Sequence, residues 1–145
     1  MSAPYHNIEE RVEDTIKAYL SGALTGATDA LPIKVAFDFD ETEGPYISVA
    51  VPKVDEYPAD SGGYAVDVIV AIVTSKTITR SAHAEHVAKV CDLIFEQNLI
   101  TYLNTAGATY GVVFQLRTLA ARERSVPGSE RVTAQKFTLV ARLAT

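Results

Sequence analysis

The stretch KVAFDFDETEGPY, residues 34–46, decides how the fold is read. Ile33, Val35, Phe37 and Phe39 alternate with Lys34, Ala36 and Asp38, which predicts a half-buried strand. The strand runs into an acidic cluster, Asp38, Asp40, Glu41 and Glu43, and then into Gly44-Pro45. If the acidic string opened a helix, a series of βα units and a parallel sheet would follow. Instead the turn leads into YISVAV (46–51), a second alternating segment, so the prediction is a hairpin.

Outward from that hairpin the period changes twice. Residues 7–21 predict a helix, with Ile8, Val12, Ile16, Tyr19 and Leu20 on one stripe. Asn7 and Glu10 have capping-box spacing, and Gly22 reads as the stop. After the hairpin, residues 52–63 hold two prolines, two glycines and four charges and read as a loop. YAVDVIVAIVT (64–74) is the most apolar strand and the candidate centre of the sheet. Residues 80–97 return to helical spacing, with Val87, Val90, Cys91 and Ile94 on one face, and LITYLN continues as a weaker helical piece toward Gly107. Residues 110–119 and 132–143 read as two more strands around a charged loop, 120–130, tipped by Pro127-Gly128. The expectation is one α+β domain over residues 1–145: a five-stranded, mostly antiparallel sheet with two main helices on one face. The strand–helix–strand piece at 64–119 also suits a right-handed crossover that sets two strands parallel.

Composition bounds the function. The chain of 145 residues is 48% hydrophobic and 21% charged, enough for one sizeable core. A net charge of −5 argues against nucleic-acid binding as its main task. Cys91 is the single cysteine, so neither an intrachain disulfide nor a cysteine zinc site is expected. The start MSAPYHNIEE lacks a basic region and an apolar run, and the apolar run VIVAIV (68–73) is too short for a bilayer. Cytoplasm-like conditions are expected.

Three motifs invite catalytic readings. Asp38-Phe39-Asp40-Glu41-Thr42 resembles the D-x-D-x-T opening of the haloacid-dehalogenase-type phosphotransferases, in which two aspartates work beside magnesium. That chemistry needs a further acidic pair downstream, yet Asp92, within the second helix, is the last aspartate. The preferred reading is an acidic turn, with a small metal-dependent enzyme using Asp38 and Asp40 as the alternative from another class. SAHAEH (81–86) is one residue short of H-x-x-E-H, and its face continues into apolar Val87 and Val90, so His83 and His86 read as histidines at the start of a buried face. Cys91 lies within an apolar stripe and reads as a small buried hydrophobe. No catalytic, metal or cofactor residues are assigned.

The two charged loops are the candidates for contact with a partner. Arg122, Glu123, Arg124, Glu130 and Arg131 mix signs, which suits a protein surface, and Asp55, Glu56 and Tyr57 with the 38–43 cluster are the acidic counterparts. Against this element order the chain resembles the tail-terminator, or neck, proteins of long-tailed bacteriophages. The resemblance rests on IEERVEDTIKAYL (8–20), on the apolar strand, threonine-rich link and helix of residues 62–95 with its H-x-x-x-V-x-x-V-x-D-x-I run, and on ERSVPGSERVTAQKFTLVAR (123–142). It implies a virion subunit without catalytic residues or cofactors, assembled in the host cytoplasm into a ring, usually a hexamer. Such a ring joins the tail-tube protein to the head connector, with DNA passing through the channel without specific binding. Another neck or tail-tube component is the alternative within the class.

Overall fold

The computed structural model describes residues 7–24, 31–35, 45–56 and 63–144, and of Leu119 only the backbone. Along the chain these form α1 (Ile8–Ala23), β1 (Ile33–Val35), β2 (Tyr46–Glu56), β3 (Gly63–Ser75), α2 (Arg80–Ile94), α3 (Leu99–Tyr110), β4 (Val112–Ser125) and β5 (Glu130–Leu143). The class is α+β, as the periodicities predict.

Among the described residues the sheet has five strands in the order β1-β2-β3-β5-β4. It is mixed. β2–β3, β3–β5 and β4–β5 are antiparallel, but β1 lies parallel to β2, with Ile33 beside Ile47 and Val35 beside Val49. The expected β1–β2 hairpin is therefore corrected: a parallel pair cannot be joined by a tight turn. The expected parallel relation of the strands flanking the helices holds in direction only. β3 and β4 both run antiparallel to β5, which lies between them.

Core formation follows the two periods. On β3, Val66, Val68, Val70 and Ile72 are fully buried, as the alternation of a central strand requires. They join Ile47, Val49 and Val51 of β2, Phe114 of β4 and Phe137 and Leu139 of β5 in one cluster with the helices. α1 adds Ile8, Val12, Ile16 and Leu20, spaced one turn apart. α2 adds Val87, Val90, Cys91 and Ile94, the predicted face, and α3 adds Leu99 and Leu103. Three helices, rather than two, thus cover one side of the sheet. The other side carries Ala50, Ala65, Ile69, Ala71, Ala134 and Val140 and no helix among the described residues.

Caps and bulges fix the boundaries. The Asn7 side chain accepts the Glu10 amide at 3.0 Å and donates to its carboxylate at 3.2 Å, so the predicted pair caps the helix with its second bond running side chain to side chain. Gly22 falls inside α1, which ends one residue later at Ala23 and is closed by the Leu24 N–H to Leu20 C=O bond. Thr79 caps α2 by accepting the Ala82 amide. Pro52 lacks the N–H that a ladder needs, and the β2–β3 register shifts there, between Ala50 and Lys53. The neighbouring Val51 amide is taken up by the buried Glu13 carboxylate of α1 at 2.9 Å. On edge strand β4, where the register shifts between Phe114 and Leu116, the Asn104 side chain accepts the Phe114 amide and donates to its carbonyl, standing in for a missing strand.

Candidate functional site

The segment 120–130, expected as a loop, is mostly strand. β4 runs to Ser125 and β5 starts at Glu130, leaving a short turn. There Gly128 has φ +58° and Glu130 N–H reaches Pro127 C=O, so the tip is where the sequence placed it. Lys76 N–H also donates to Ser129 C=O, and Arg131 Nη1 donates to Ile78 C=O, anchoring the hairpin end to the β3–α2 connection.

Strand geometry divides the predicted arginines and glutamates. Successive side chains of β4 take opposite faces, so Arg122 and Arg124 fall on the helix side and Glu123 on the bare side. Glu123 pairs there with Lys136 at 3.0 Å, an exposed pair of little energetic weight. Arg122 is a fold residue as well as a surface one. Its Nε donates to Oε1 of Gln135, which is 1% exposed. The same Gln135 oxygen lies 3.6 Å from the Cys91 thiol, while its Nε2 donates to Ala121 and Lys136 carbonyls, so the buried amide is fully satisfied. Burial, the largest influence, pushes the Cys91 thiol up from its ordinary value, matching an inert packing role.

His83, in the same region, is also buried, at 7% exposed. Nδ1 lies 2.7 Å from Thr74 Oγ1 and Nε2 lies 2.9 Å from Thr133 Oγ1, so both ring nitrogens are engaged by hydroxyls. Burial foremost, then the Arg131, His86 and Arg124 charges, hold its pKa below 6.5, which favours the neutral ring. Among the described residues no three His, Cys, Asp or Glu side chains gather as a metal set would.

The acidic candidates are elsewhere. Asp55 and Glu56 end β2, with Glu56 beside Tyr64 near the start of β3. Asp55 pairs with Lys53 at 3.4 Å on the surface. The arginine group adjoins the far end of β3, where Thr74 and Ser75 face Arg131 and Glu130. Ten residues of β3 separate Tyr64, beside Glu56, from Thr74, beside Arg131, roughly 33 Å. One molecule therefore cannot bring them together. Tyr57, Asp38, Asp40, Glu41 and Glu43 lie outside the described residues; β1, which precedes the four acids, is a three-residue edge strand.

The structure adds a residue that the sequence did not single out. Arg80, the first residue of α2, joins Arg124 and Arg131 around one cavity of about 410 Å³ floored by His83 and Thr133. No local signal marks Arg80, because its neighbours come from strands more than forty positions away. Two other hollows lack this charge focus. One, of about 620 Å³, lies on the bare sheet face over Lys53, Asp67, Ile69 and Thr138. Another, of about 530 Å³, is bounded by the stacked rings of Tyr19 and Tyr102, 6.1 Å apart. Among the described residues no helix is long and apolar enough to cross a membrane. No family model matches the chain, and no curated protein sequence matches it either.

Proposed function

We propose that this chain is a structural virion subunit that self-assembles into a ring, six copies in number. The ring sits at the head-proximal end of a phage tail tube and joins it to the head connector. The observation that carries this reading is the separation of charge along β3: acidic Asp55 and Glu56 at one end, Arg80, Arg124 and Arg131 at the other. Complementary groups that cannot meet within a molecule can meet between molecules, and a head-to-tail contact of this kind closes into a ring when its rotation permits. The sheet face opposite the helices, rich in alanine, offers small side chains to the same neighbour. The net charge of −5 suits a channel that passes DNA, because each phosphate neutralised by a cation would add affinity and drag.

The test is mass in solution. Light scattering across a concentration series, with negative-stain imaging, should find a closed ring, alone or on added tail tubes. Arg124→Glu should weaken assembly and leave the melting temperature of the monomer nearly unchanged, since exposed changes usually stay within about 0.5 kcal/mol. A strictly monomeric protein that ignores tail tubes sinks the proposal. Open-ended polymerisation in place of a ring would assign the chain to the tube itself.

A further inference from the structure

We propose that the cavity between Arg80, Arg124 and Arg131 is a binding site for a phosphate group. The three arginines come from three elements: the start of α2, the end of β4 and the start of β5. Among the described residues no carboxylate lines the cavity, although the chain as a whole is acidic. Arg80 and Arg124 are exposed and make no hydrogen bond or ion pair among the described residues, so the fold gives no account of their gathering here. Arg131 is different: its bond to the Ile78 carbonyl fixes one guanidinium in place. Ser125 contributes a hydroxyl at the rim. The floor is neutral and already satisfied, because His83 and Thr133 bond each other. All the positive charge is thus at the walls, where an anion would enter.

The arrangement selects among anions. A planar carboxylate is satisfied by one guanidinium fork, whereas several guanidiniums drawn from separate elements suit the tetrahedral oxygens of a phosphate. The cavity, at about 410 Å³, exceeds a bare oxyanion, and Val126 and Val132 give it an apolar wall. A phosphate carrying an organic group fits better than inorganic phosphate. These are the arginines proposed to meet the neighbour's acidic groups in the ring, so the phosphate site is that of the free subunit, and its binding is read separately from assembly.

The experiment uses the full chain, titrated at constant ionic strength with inorganic phosphate, phenyl phosphate and acetate, and followed by amide resonances and calorimetry. Saturable shifts confined to Thr79–Ala82, Ser125 and Val132–Thr133 are expected, with phenyl phosphate tighter than phosphate. Arg80→Ala and Arg124→Ala should each weaken binding about tenfold, the loss of one charge-assisted contact. Arg142→Ala, at the other end of the sheet, should leave it unchanged. Linear, unsaturated shifts, equal binding by acetate, or equal loss in Arg142→Ala would each overturn the site.

Discussion

The Glu13 carboxylate accepts the Val51 amide at 2.9 Å, so a charged residue of α1 completes the strand that Pro52 interrupts. Glu13 is 4% exposed, and an uncompensated amide in that position costs a full desolvation penalty. Glu13→Leu should therefore destabilise the protein by about 1–3 kcal/mol despite adding apolar surface. Urea denaturation measures this, and a variant as stable as the parent would show that the bond contributes little.

Two helical glycines should answer oppositely to the same change. A Cβ at Gly107 would sit 2.7 Å from the Val112 carbonyl oxygen, a backbone atom that cannot step aside. Gly107→Ala should cost about 1–3 kcal/mol by forcing α3 away from β4. At Gly22 nothing lies within 4 Å, and the residue is exposed within α1. Gly22→Ala should stabilise by about 0.5–1 kcal/mol through helix propensity alone. Thermal melts of the two variants give the signs.

Stability should fall below neutral pH in a manner traceable to His83. Its folded pKa is lowered beneath the ordinary value of 6.5, so the unfolded chain binds the proton first as pH drops. The neutral ring's contribution is complete above 6.5 and is lost as pH falls from there through the folded value. Urea midpoints at a series of pH values should show this slope in the parent, and His83→Gln should flatten it. An unchanged slope in the variant assigns the effect to other groups.

Gln135 joins Arg122 and Cys91 from β4 and α2. Gln135→Leu should cost about 1–3 kcal/mol, because two backbone carbonyls and a guanidinium lose their partner at once. Arg122→Ala should cost less, the Gln135 oxygen keeping the thiol. A double-mutant cycle on unfolding free energies separates the shared part.

What the sequence disclosed followed the strength of its periods. α1 and α2 bury the residues that their spacing nominated, save Tyr19, which is only partly buried; β3 alternates as predicted, and Pro127-Gly128 marks the hairpin tip. Residues 120–125 were hidden because every one is exposed, which erases the alternation of apolar and polar positions that betrays a strand. α3 was half visible because Gly107 and its threonines weaken helix propensity, while the tight approach to Val112 that requires the glycine is a tertiary fact. The parallel setting of β1 beside β2 is a tertiary pairing that no local pattern specifies. Of the candidate contact residues, Arg124 and Arg131 share a cavity, Arg122 is tied into the interior, and Arg80 needed the fold to appear at all.

The strand order also shapes how the molecule can fold. β2–β3 and β4–β5 each join consecutive strands, so each forms by closing a short stretch of chain. The β3–β5 seam is different: Val68 meets Phe137 only after α2, α3 and β4 have been accommodated. Loop-closure entropy makes that seam the kinetically demanding step. Until it zips, the two halves of the sheet expose complementary edges along β3 and β5. A second chain can supply either edge, so concentrated refolding carries an inherent route to exchanged dimers.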